Sequence, residues 1–109
     1  MPLFFQKKHE PNLQAMRDFW HWFQENEQWM IERLNIPESG SVVWAVDAQL
    51  KPIFSYFKGE IEFQLGFNKG QGEFFFFDLH NRNLHSDAEQ LAACMPKELR
   101  QRWKLLIAH

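Results

Sequence analysis

From Asn12 to Leu34 the apolar residues Leu13, Met16, Trp20, Phe23, Met30 and Leu34 recur on one stripe at helical spacing, and Phe19 and Ile31 widen it. Pro11 ahead of the run and Asn35-Ile36-Pro37 behind it mark its ends. A helix with one apolar stripe must bury it against other elements. The material for that burial is aromatic: the 109-residue chain carries 12 Phe and 5 Trp, and rings bury large areas, so a short chain still builds a dense core.

The remaining punctuation predicts a second helix, a hairpin, a third helix and a closing strand. Glu38-Ser39-Gly40-Ser41 offers an N-cap, after which Val43, Val46, Leu50, Ile53 or Phe54, and Phe57 repeat every three or four residues. The β-branched cluster from Val42 to Val46 reads alternatively as a strand, and Pro52 stops or kinks a helix near Leu50. Ile61, Phe63, Leu65 and Phe67 alternate with Glu62, Gln64 and Gly66, the period of a strand with one buried face. Asn68-Lys69-Gly70-Gln71-Gly72 is a turn, and Glu73 to His80 returns. With Phe67 opposite Glu73, the expected core face is Phe75, Phe77 and Leu79, which leaves Asp78 and His80 outside. Ser86-Asp87-Ala88-Glu89 has the form of a capping box, followed by Ala88, Leu91, Ala92 and Met95 as an inner stripe that Pro96 ends. Trp103, Leu105 and Ile107 alternate with Lys104, Leu106 and Ala108 in a strand that joins the hairpin. The expected fold is α+β, in the order α-α-β-β-α-β, with a three-stranded sheet packed by three helices in one domain over residues 1–109.

Composition narrows the function classes. Twelve basic and fourteen acidic residues are interspersed, for a net charge of −2, so no general field draws in nucleic acid or an anionic membrane. Cys94 is the single cysteine, which excludes an intrachain disulfide and a cysteine-based zinc site and fits a reducing, cytoplasmic setting. It reads as a small buried hydrophobe. Met1-Pro2-Leu3-Phe4-Phe5 is followed at once by Gln6-Lys7-Lys8-His9, too short for a signal-peptide core or a membrane span, and reads as part of an arm over residues 1–11 that folds back onto the domain.

The motif Phe19-Trp20-His21-Trp22-Phe23 with Glu25-Asn26-Glu27, the Ile61-Glu62-Phe63 strand, the return strand Phe74 to Phe77 and the Met95-Pro96 turn leading through Leu99 to Trp103 resemble a family of small uncharacterised bacterial proteins that open with an FWxWF helix. Pro52 departs from that pattern. The resemblance implies a fold and a bacterial cytosolic setting, and it carries no catalytic residue across.

Residues with chemical potential are few. Asp78-Leu79-His80 and His85-Ser86-Asp87 flank Asn81-Arg82-Asn83, so two imidazoles and two carboxylates could converge on a metal, but the spacing matches no zinc signature and the expected reading is a polar turn. No metal and no cofactor is expected. Glu27 falls inside the apolar stripe of the first helix, where an unpaired carboxylate would titrate high, unless a slight roll lets it reach water or an arginine. Glu27 with His21, His80 or His85 in an aromatic pocket is the ligand-site or enzyme alternative. No strained serine elbow, phosphate loop or nucleophile-base pair accompanies it, so binding rather than catalysis is the expected class. Arg100, Arg102 and Lys104, with Lys97 nearby, form a basic stripe that reads as a solvated strand edge, and no nucleic-acid partner is expected.

Surfaces weigh more. Trp22 and Trp29 share a side of the first helix with Asp18, Glu25 and Glu32, a recognition face unless the arm covers it. In the expected register the second face of the sheet carries Phe74, Phe76, Leu106 and Ala108 beside Glu62, Gln64 and Lys104, covered either by the second helix or by a second subunit. The resulting expectation is a protein-interaction module or a self-associating small protein, with homodimerisation or another protein as partner. An inhibitor or immunity role fits the size but has no motif behind it.

Overall fold

The computed structural model describes residues 9–109, so the reading of Met1 to Phe5 as a folded-back arm lies outside the described residues. The fold is α+β. In chain order it comprises α1 (Leu13–Leu34), α2 (Ser39–Leu50), β1 (Glu62–Asn68), β2 (Gln71–Phe77), α3 (Arg82–Ala93), the single turn α4 (Lys97–Arg100) and β3 (Trp103–Ala108). The sheet order is β1-β2-β3, antiparallel between β1 and β2 and parallel between β2 and β3.

α1 starts where the sequence predicts. Asn12 caps it, its side-chain oxygen accepting from the Ala15 N–H at 3.1 Å. Its stripe of Met16, Phe19, Trp20, Phe23 and Met30 is buried. Phe23 meets the Trp103 indole edge-on at 4.9 Å, and Phe19 lies 6.2 Å from Phe74, so the helix rests on β2 and β3 through rings. The Trp20 indole N–H, which would otherwise be stranded in this core, donates to the Leu91 carbonyl of α3 at 2.9 Å.

Residues 39–50 form a helix, not the alternative strand, and its buried line is Val42, Val46 and Leu50, with Val43 on the outside. Pro52 follows the helix rather than interrupting it, and the turns after it bring Phe54 onto Phe76 in a stacked pair at 4.9 Å. Cys94 is half-buried, with its thiol on the Leu91 carbonyl.

Two expectations are corrected. The hairpin closes through a two-residue loop, Lys69 and Gly70, both at positive φ (52° and 78°) as a type I′ turn requires, which pairs Asn68 with Gln71 and Phe67 with Gly72. That is one residue away from Phe67 opposite Glu73, and a one-residue slip turns over the whole strand. Phe74 and Phe76 are therefore core residues, 1% and 0% exposed, while Phe75 and Phe77 face the other way. Four consecutive phenylalanines offer no periodicity with which to choose a face, so turn geometry decides. Gly72 completes the register, because a Cβ there would overlap the Trp103 indole. The second correction concerns α3, which begins at Arg82 under an Asn81 cap, whose side chain accepts from the N–H groups of Asn83 and Leu84. Ser86 and Asp87 lie inside the helix, and the stripe gains Leu84 at its start.

Candidate functional site

β2 and β3 run parallel and end together: the Asp78 N–H donates to the Ala108 carbonyl at 2.8 Å. Here the chain turns sharply into α3. Leu79 and His80 both take left-handed backbone angles (φ 52° and 57°), a conformation costing roughly 1–2 kcal/mol per non-glycine residue. The turn is held from below by Asp78, whose Oδ1 accepts from the His80 N–H at 2.9 Å and whose carbonyl accepts from the Asn81 N–H at 2.8 Å.

The other carboxylate oxygen of Asp78 collects two imidazoles. His85, in the first turn of α3, approaches through Nδ1 at 2.8 Å, and His109, just past β3, through Nδ1 at 2.9 Å. Their rings are nearly parallel with centroids 6.0 Å apart, and the His80 ring stacks on His109 at 5.9 Å. Asp78 is 2% exposed, contrary to its expected place outside the sheet, whereas the histidines face an open cleft of ≈ 370 Å³ also lined by Asn81 and Arg82. The backbone N–H of His80, aided by His85 and His109, holds the Asp78 carboxyl below its ordinary value despite burial. The potential donor atoms of Asp78, His85 and His109 all lie within 4.8 Å of one another.

The sequence-predicted ligand set is divided among separate places. Glu27 accepts from Arg102 Nε (2.7 Å) and Nη2 (2.8 Å) and from the Trp103 indole N–H (2.9 Å), a bidentate clamp at the opposite end of β3 from Asp78, about 20 Å along the strand. The Arg102 hydrogen bond, the largest influence, holds the Glu27 carboxyl low against the opposing effect of burial. His21 is exposed on α1 beside Glu25. Asp87 is buried away from His85 and His80, accepting from the Tyr56 hydroxyl (2.8 Å) and contacting His9 Nε2 (2.9 Å), where it ties the chain before α1 to α3. Burial, chiefly, and the adjacent carboxylate push the Tyr56 phenol up. The basic stripe is likewise taken apart, Arg102 by Glu27 and Arg100 by the carbonyls of Ala93, at the end of α3, and Met95, just past it.

No family model, curated protein or solved structure matches this chain. The functional reading therefore rests on its own surfaces and clusters. Trp22 and Trp29 are half-buried against the core, with the Arg33 guanidinium over the Trp29 ring at 5.3 Å. The second face of the sheet carries Phe75, Phe77, Leu106 and Ala108, all outside the core cluster. Among the described residues, the buried apolar side chains of the helices all join the cluster containing Phe74 and Phe76, on the opposite face. Sequence reasoning missed two residues. Trp44, on the outer side of α2, is 83% exposed beside Val43, inside an apolar run that carries no polar residue to mark its outer side. His109 carried no local signal, because only strand pairing brings it to Asp78.

No helix among the described residues is long and apolar enough to cross a membrane.

Proposed function

We propose that this chain is a protein-interaction module that self-associates through the sheet face that, among the described residues, no helix covers. The observation that carries the reading is the asymmetry of that sheet: helices pack against one side, while the other presents Phe75 between Gln64 and Leu106, and Phe77 between Glu62 and Ala108. Glu62, Glu73 and Lys104 add charges of both signs, so two copies related by a two-fold axis can set Lys104 of one against a glutamate of the other. An apolar centre with a polar surround is the anatomy of an interface.

Size sets the strength. Three strands at about 4.8 Å spacing and roughly 20 Å of length give a footprint of about 300 Å² per copy, well under the roughly 800 Å² of a standard stable complex. The association is therefore weak, micromolar or looser, and suited to regulated or multivalent assembly. Light scattering over a concentration series tests this: the mass rises from monomer toward dimer, and Phe75→Asp keeps it monomeric with the melting temperature preserved. A wild-type chain that stays monomeric at millimolar concentration overturns the reading. So does an unchanged dimer in the Phe75→Asp protein.

A further inference from the structure

We infer that Asp78, His85 and His109 form a binding site for a divalent transition-metal ion, with zinc the best match. This inference is independent of the sheet-face interface and stands or falls separately.

Two imidazoles and a carboxylate are the donor set of three-ligand metal sites that keep positions open, and imidazole favours zinc, copper, iron and nickel over magnesium or calcium. The three residues come from three different parts of the chain, the end of β2, the first turn of α3 and the residue after β3, and the fold converges them on one point. Asp78 cannot easily retreat, since it is buried and its Oδ1 is engaged by the His80 N–H, so Oδ2 is a fixed anchor. His85 and His109 have 40% and 67% exposed side chains and room to adjust.

The adjustment required moves both imidazoles, outward from Oδ2 and toward each other, since the donor atoms lie within 4.8 Å of one another rather than at the about 3.3 Å of a tetrahedral site. Each Nδ1 lies 2.8–2.9 Å from Oδ2, a hydrogen bond; around a zinc ion with bonds of about 2.0–2.1 Å in tetrahedral geometry the same atoms stand about 3.3 Å apart. The imidazoles thus need to withdraw by about 0.4–0.5 Å, with their protons on Nε2 so that the Nδ1 lone pairs face the metal. In the metal-free cluster His85 Nδ1 holds its proton toward Asp78, so metal binding moves that proton to Nε2, which lies 3.6 Å from the exposed Glu89 carboxylate one turn further along α3. A carboxylate behind the non-ligating nitrogen is the usual orienting partner of a metal-bound histidine. The ion's double positive charge meets one Asp78 charge with Glu89 close behind, and the open cleft beside Arg82 leaves the fourth position to water or a small anion. His80 is not among the three converging donors and instead flanks His109 by stacking.

Tag-free protein, stripped with chelator, is titrated by calorimetry with Zn²⁺ and with Mg²⁺ at pH 7.5, and Co²⁺ is followed by visible absorption. The expected result is one Zn²⁺ per chain, no Mg²⁺ binding, a rise of several degrees in melting temperature with excess Zn²⁺, and Co²⁺ bands that zinc displaces. His109→Ala and His85→Ala each weaken zinc at least tenfold and abolish the rise in melting temperature that zinc gives, measured against each variant's own metal-free value. Asp78→Asn is a secondary variant, because Asp78 also holds the turn. Absence of binding at 100 µM Zn²⁺, or binding that survives the double His85→Ala, His109→Ala replacement, overturns the assignment and leaves the cluster as a proton-shared hydrogen-bond network.

Discussion

Glu27 illustrates how one side chain can break a pattern and still stabilise the fold. It sits in an apolar stripe because Arg102 and Trp103, seventy-five residues away in sequence, present three donors to it at the start of β3. Replacing it with Ala removes a charge-assisted clamp and leaves the indole N–H without its acceptor, so we expect a loss of about 2–3 kcal/mol, read as a lower urea midpoint at unchanged slope. The pH dependence has a definite sign. Glu27 and Asp78 both have folded-state values below their ordinary 4.5 and 3.8, so their contribution is complete above those values and is lost as pH falls through the lower folded ones. Thermal melts from pH 7 to pH 3 should show the melting temperature falling below about pH 4.5, and less steeply in the Glu27→Ala protein. The anomaly at Glu27 was legible in the sequence, and an arginine was among its expected partners. Which arginine it meets was not, because the pairing is made by the packing of α1 on β3.

At the scale of elements, capping explains both the success at α1 and the error at α3. Asn12 and Asn81 each accept from N–H groups that would otherwise lack partners at a helix start. Asn81→Ala should therefore cost about 1 kcal/mol, whereas Ser86→Ala, at an exposed position inside α3, should change stability by less than about 0.5 kcal/mol. Chemical denaturation of the two variants separates the observed start from the one that the Ser86-to-Glu89 pattern suggested. A capping box is a local signature, and the pattern occurs here where the chain is already helical. The left-handed pair Leu79 and His80 turns the chain early and lets α3 begin sooner, a step that no propensity of either residue announces.

At the scale of the whole molecule, the sheet register decides what the protein shows to its surroundings. Phe76→Asp should unfold the chain by burying an unpaired charge, while Phe75→Asp, next to it in sequence, should leave the monomer intact and change only self-association; circular dichroism beside light scattering reads both. The sequence by itself determined the α+β class, the order of the main elements, the bounds of α1 and the aromatic character of the core, because helical and strand periodicities and proline and asparagine stops are local properties of the chain. Only the tertiary structure decided which phenylalanines of β2 face inward, that Trp44 stands in solvent, that Arg102 meets Glu27, and that His109 joins His85 on Asp78. The physical reason is common to all four. A run of rings is apolar on either face, a charge or an imidazole has the same identity wherever it lies, and its partner is fixed only when a two-residue turn sets the register and a parallel strand returns alongside.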